Sequence, residues 1–286
     1  MSVNLHQRRA LVLCADDYGI APGVGRGIRA LAVAGRLSAT SCMTLFPEWA
    51  VEADRLGELA GRIDVGLHVT LTDHAPVGAM PGLAPAGRMP ALGRLIRLAH
   101  LGRIDVAEIA GEIERQLDAF EAALGRAPDF LDGHQHVHLL PGIREAVLGL
   151  FGRRLDRRTT WLRSCAESAA RILRRRVDAP RALVIAALAR PLDRTADAAG
   201  LAMNRGFTGV TSFHRGRSVD GDFAAYLSHG GDRPLVMCHP GEPDEILAAR
   251  DPVAGPRADE LAYLAGDRFA ALLDARRMTL ARGPRL

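Results

Sequence analysis

An apolar run, RALVLCA, climbs from Arg9 to Ala15 and breaks into two adjacent carboxylates, Asp16 and Asp17. Runs of this kind return along the chain, each followed by a stretch whose apolar residues recur at helical spacing. GVGRGIRALAVAGRL reads as the first helix, SATSCMTLF as the second strand and EWAVEADRLGELAG as the second helix. IDVGLHVTLT alternates with period two, and a Gly/Pro-rich loop from Pro76 to Pro90 follows it. The long helix after that loop carries Ile109, Ile113, Leu117, Phe120 and Leu124 along one face. PDFLDGHQHVHLL is then expected as a strand, PGIREAVLGLFGR as a helix with proline in its first turn, and TTWLRS, FTGVTSF and PLVMCHPG as further strands. Helix is expected again from Arg257 to Met278.

Strands alternating with helices predict an α/β protein with parallel strands and crossover helices, and six or seven such units favour a distorted (β/α) TIM-like barrel. A doubly wound open sheet is the alternative. In both, chemistry belongs at the carboxyl ends of the strands. The whole chain, 1–286, reads as a single barrel domain, with an Arg- and Ala-rich segment at 165–205 whose structure the pattern does not assign.

Composition changes the picture only slightly. With 48% apolar residues the chain is expected to be globular. All 37 of its basic residues are arginine, so lysine Schiff-base and P-loop chemistry are excluded. The net charge of +4 fits a compositional bias as well as it fits an acidic partner, and no recognition helix or aromatic-basic interleaving points to nucleic acid. Four scattered cysteines without metal-type spacing suit reduced thiols. No apolar stretch is long enough to span a membrane, and ALVIAALARPL at 182–192 reads as a buried or interfacial helix, so a cytoplasmic location is expected.

Several polar side chains fall where strands end. Asp16 and Asp17 close the first, His68 lies in the third, His134, His136 and His138 crowd one short run, and His239 follows LVMC. Carboxylate and imidazole groups from separate strands converging on one mouth are what a divalent metal needs. Along a straight strand, alternate histidines lie ~6.6 Å apart, so one ion cannot take all three from HQHVH. One is then the expected ligand, with the others around it or against substrate. Asp16 and Asp17 point oppositely in a regular strand, so the chain must turn there, with Gly19 as the permissive residue. His6, His74, His100, His214 and His229 read as ordinary surface or loop residues.

ADDYG, GLHVTLT, LDGHQHVHLLPGI and VMCHPG stand in the order and spacing of the YdjC-like carbohydrate deacetylases, which this chain resembles over about residues 9 to 245. The resemblance implies a divalent metal held by Asp17, His68 and His134, a base at Asp16 and a catalytic or substrate-facing role for His239. It also implies a site arginine at Arg163, with His136 and His138 toward substrate. The expected reaction is hydrolysis of an N-acetyl group from an amino sugar or its oligomer, with a homodimer as the expected assembly. Ligand softness favours Zn2+ while the resemblance implies Mg2+, and both stay open. Hydrolysis of a phosphoester is the enzymatic alternative, and an Arg-rich nucleic-acid-binding protein the remoter one.

Overall fold

The computed structural model describes residues 8–59, 61–213, 216–228, 231 and 233–283; His6, His214 and His229 lie outside them. The elements run β1 (Arg9–Tyr18), α1 (Pro22–Val33), β2 (Ala39–Cys42), α2 (Trp49–Gly57), β3 (Asp64–Val69), α3 (Leu92–His100), α4 (Val106–Leu124) and β4 (Phe130–Gly133). After a 3-10 segment (His134–Leu139) come α5 (Ile143–Arg153), β5 (Trp161–Leu162), α6 (Ala169–Arg175), α7 (Ala179–Ala198), β6 (Phe207–Thr208) and α8 (Val219–Ser228). β7 (Leu235–Cys238), α9 (Glu245–Arg250), α10 (Gly255–Ala265), α11 (Asp267–Ala275) and β8 (Met278–Leu280) complete the chain.

Seven strands pair in parallel in the order β5-β4-β3-β2-β1-β7-β6. At the β5 edge Leu162 bridges Met203, just ahead of β6, so the sheet curls toward closure as a distorted (β/α) barrel. The strand order excludes the open doubly wound alternative, in which the chain would reverse direction from a central strand. β8 sits apart from this path and pairs with Arg9–Leu11 at the start of β1.

Burial on both faces is what makes the strands read as near-continuous apolar runs. Leu11, Leu13, Val65, Leu67, Leu131 and Val236 are all buried. Helix α4 covers the sheet with Ile109, Ile113, Leu117 and Phe120. Asp105 caps it, accepting from the backbone N–H of Ala107, and Gly125 ends it with φ +67°. Two polar residues on the same buried face anchor the loop after β3: Gln116 exchanges hydrogen bonds with the Thr70 backbone at 2.7 and 3.0 Å, and Glu112 accepts from the Val77 N–H.

Several elements depart from the sequence pattern. The expected strand through HQHVH stops at Gly133, because Gln135 and His136 both take left-handed backbone angles. SATSCMTLF, TTWLRS and FTGVTSF supply only four, two and two strand residues, the rest of each lying outside the strand pairing. Between the Gly/Pro-rich loop and α4 the chain inserts α3, whose short LGRLIRLAH stretch the pattern left inside a connection. The C-terminal helix is two helices broken at Gly266, and Met278 begins a strand. Much of the 165–205 segment is helix, as α6 and α7.

Candidate active site

At the end of β1 the register against β2 jumps between Ala15 and Tyr18, and Asp17 adopts φ +68°. The left-handed residue is thus an aspartate itself, where the sequence pointed to Gly19, although Gly19 follows with φ +93°. Such a bulge re-aims side chains, and it lets both carboxylates reach one cavity. A non-glycine residue in this conformation is sparsely populated and is a recurrent device at functional sites.

Asp17 Oδ1 is the meeting point of two imidazoles. His134 Nδ1 lies 2.9 Å away, and His68 Nε2 3.3 Å away. The donor atoms of all three residues fall within 4.8 Å of one another. An ion ~2.1 Å from each donor would space neighbouring ligands by roughly 3.0–3.4 Å, so the set fits a divalent cation. His68 is further prepared for that task, because its Nδ1 lies 2.6 Å from Asp132 Oδ1 and 3.0 Å from Ser41 Oγ, leaving Nε2 toward Asp17. A second acidic cluster, Asp16, His68 and Asp132, is also close-packed, yet a guanidinium already occupies its centre.

That guanidinium belongs to Arg163. It donates to both oxygens of Asp16, at 2.7 and 2.6 Å, and its Nη2 also lies 2.7 Å from Asp132 Oδ2 and 2.9 Å from Cys14 Sγ. All of these groups are buried. Arg163 therefore grips Asp16 and Asp132 from behind the cavity. Arg257 plays the matching part for Asp17: its Nη2 donates to Asp17 Oδ2 at 2.6 Å and to Asp251 at 2.5 Å. Only Oδ1 of Asp17 is left for the imidazole side.

The charges shift accordingly. Burial alone would raise the Asp17 carboxyl, but Arg257 and His134 outweigh it and hold it well below the usual carboxylate range. Burial likewise opposes a proton on His68, whereas Asp132 against Nδ1 favours one strongly and pushes the imidazole up to about 10. Burial also pushes the thiols of Cys14, Cys42, Cys165 and Cys238 up, so they stay protonated and unreactive.

The structure brings Asp16, Asp17, His68, His134, His136 and His239 to one cavity of about 660 Å3. His239 follows β7; its backbone N–H donates to Glu260 Oε2 at 2.6 Å and its ring packs edge-on to Phe213. Burial lowers its pKa. Arg163 and His138 do not line the cavity. His138 is fully buried, with Nε2 3.8 Å from the Cys165 thiol, and burial takes its pKa down to about 4. His136 faces the cavity on one side and Phe207 and Cys165 on the other.

Sequence reasoning passed over Ser41, His74, Asp132, Arg257 and Glu260. His74 is the correction among the histidines: it is 7% exposed, lines the cavity, and packs 4.9 Å from the Phe46 ring. Burial, then the neighbouring His134, lower it to about 4. Asp132 had no signal of its own, because its part depends on which strand lies beside it: it sits in register opposite His68 in adjacent strands. Arg257 and Glu260 had none, being remote in sequence and indistinguishable from an ordinary helical charge pair.

A parallel barrel with acidic and imidazole groups gathered at the carboxyl ends of its strands defines the class. More particularly, the chain belongs to the YdjC-like protein family, whose profile matches residues 10–275. It is 32% identical over 160 residues to a human protein named carbohydrate deacetylase, covering 52% of this chain and 48% of that one. It is 37% identical over 142 residues to a chitooligosaccharide deacetylase of Yersinia pestis (strain Pestoides F), covering 49% and 54%. The chain thus spans about half the length of the curated relatives it matches. A crystal structure from Enterococcus faecalis V583, named for cellobiose-phosphate cleavage, superposes with a TM-score of 0.73 over 96% of this chain and 98% of that one, at 19% identity, and shows the same fold.

Proposed function

We propose that this chain is a metal-dependent carbohydrate deacetylase, one catalytic unit built on the barrel, that hydrolyses the N-acetyl group of an amino sugar. The observation that carries this reading is the convergence of Asp17, His68 and His134 beside Asp16 in a single cavity. Asp17 Oδ1, His68 Nε2 and His134 Nδ1 would hold the ion. When bound, a divalent cation supplies Lewis acidity to the acetyl carbonyl and to water. Two imidazoles and one carboxylate suit Zn2+, and Mg2+ is the alternative.

The chain's own groups then divide the proton work. Asp16, its carboxylate oriented by the bidentate grip of Arg163, accepts the proton of the attacking water. His239 lines the same cavity and donates to the departing amine. Asp132 holds His68 in one orientation throughout.

The walls of the cavity narrow the substrate further. Leu92 and Ile96 of α3 and Val184, Ile185 and Leu188 of α7 line the cavity together with the polar groups. Aliphatic walls of this extent favour an N-acetyl sugar carrying an apolar aglycone over a fully hydroxylated oligosaccharide. Arg163 and Arg257 are both engaged by carboxylates, so a phosphoester would depend on Arg88 and Arg181 of the cavity wall to hold its phosphate.

Acetate release tests the proposal, using metal-stripped and reconstituted protein with N-acetyl-chitobiose-type, polysaccharide and alkyl-linked N-acetylglucosamine substrates. Release is expected only with metal restored, and Asp17→Ala and His134→Ala are each expected to lose bound metal and roughly a thousandfold or more of the rate. If either variant lost its metal and still released acetate at the parental rate, the mechanism would be wrong.

A further inference from the structure

Arginine is the only basic residue other than histidine in this chain, and many of its copies are neutralised by a carboxylate. Two stretches differ. Residues 88–103 and 169–194 hold eleven arginines against two aspartates, Asp178 and Asp193. Arg171 and Arg175 share Glu167. By contrast Arg94 and Arg97 of α3, Arg174 and Arg176 around the end of α6, and Arg190 and Arg194 of α7 are exposed, with no carboxylate partner among the described residues.

The same helices break the usual rule for exposed apolar groups. Leu101 at the end of α3, Leu173 of α6 and Val184 of α7 are 59%, 57% and 60% exposed. On α3, Arg94, Arg97 and Leu101 share the outward face, while Leu92 and Ile96 turn to the cavity. Arg88, Arg181 and Val184 line the cavity itself, so the patch borders the cavity on its α7 side.

We propose that α3, α6 and α7 form a docking face for an anionic lipid bilayer, beside the cavity. Unneutralised guanidiniums draw the face to anionic headgroups, and the three exposed aliphatic side chains enter the interface between them. No helix among the described residues is long and apolar enough to cross a membrane, so the attachment is peripheral and salt-sensitive. Nucleic acid is the weaker match for the same charge, since it offers no environment for Leu101, Leu173 and Val184 and no exposed aromatic ring accompanies these arginines for base stacking. The inference stands apart from the deacetylase reading, because binding to a vesicle needs no catalysis.

Co-sedimentation of the full chain with vesicles tests it. The protein is expected to bind phosphatidylcholine vesicles containing one-third phosphatidylglycerol, to leave pure phosphatidylcholine in solution, and to be released by high salt. Arg94→Glu with Arg97→Glu, and Arg190→Glu with Arg194→Glu, are each expected to weaken binding at least about tenfold, given about fivefold per arginine removed. Val184→Asn is expected to weaken it severalfold with no change of charge. Arg62→Glu with Arg276→Glu, exposed arginines elsewhere on the fold, serves as the control and is expected to change it little. Circular dichroism melts of each variant separate lost binding from lost folding. Failure to bind anionic vesicles, or binding that the α3 and α7 reversals leave intact, overturns the proposal. So does binding to a nucleic-acid duplex, and not to vesicles, that the same reversals abolish.

Discussion

His138 shows how much a single side chain can say about its surroundings. Its ring is fully buried, Nδ1 has no hydrogen-bond partner among the described residues, and its pKa falls to about 4. An imidazole near 6.5 in the unfolded chain and near 4 in the folded one takes up a proton more readily when unfolded across that interval. The group's full contribution to stability is therefore present above about pH 6.5 and falls away as pH drops toward 4, by about 3 kcal/mol in all. Urea unfolding of the parent and of His138→Asn at neutral and at acidic pH should show the parent losing more stability on acidification by that margin. Equal losses would mean that the ring is already hydrated. The residue scale is also where the sequence was most legible. Asp16, Asp17, His68 and His134 announce themselves because carboxylates and clustered imidazoles at strand ends have few structural uses. Asp132 and Ser41 do not, since their meaning depends on which strand lies next to which.

At the scale of elements, α10 braces the site from outside the strands. Arg257 and Glu260, one turn apart, reach Asp17 at the end of β1 and the His239 backbone at the end of β7. Glu260 is held in turn by Arg217, which also pairs with Asp222 of α8. Arg257→Gln would leave the buried Asp17 and the half-buried Asp251 without their cation, and is expected to cost about 3–5 kcal/mol, measured by chemical denaturation. A loss under about 1 kcal/mol would show that water from the cavity replaces the guanidinium. Nothing in the primary structure joins residue 17 to residue 257, because the link needs β7, α9 and α10 to be folded back over the mouth. The same holds for α3: its apolar residues recur correctly, but over only nine residues after a proline-rich loop. The turn at Asp17 was legible as a necessity, since two neighbouring carboxylates cannot otherwise share a face. Which residue would take the left-handed angle was not, because glycine is the cheaper choice on conformational grounds alone.

For the molecule as a whole, ligand binding and folding are linked. A cation that binds the assembled trio and not the unfolded chain stabilises the fold by about 2.7 kcal/mol at a hundredfold excess over its Kd. For a chain of this size that corresponds to a rise of roughly 4–5 °C in the thermal midpoint. Calorimetry of chelator-treated protein before and after adding Zn2+, Co2+ or Mg2+ should show the rise with one of them and lose it in His134→Ala. A midpoint indifferent to all three would remove the ion from the mechanism. The barrel itself was readable because strand and helix alternate all along the chain and the strands are buried on both sides. The lengths of its strands were not, since pairing ends where the chain leaves its neighbours to build the mouth.

One side chain ties the two halves of the chemistry together. Arg163 clasps the proton acceptor Asp16 with the same guanidinium that touches Asp132, and Asp132 aims the imidazole of His68. Basicity and ion affinity therefore share a hinge pin: a substitution that retunes one retunes the other. Anyone adapting this scaffold to a different bond would have to redesign positions 16, 132 and 163 as a trio rather than one at a time.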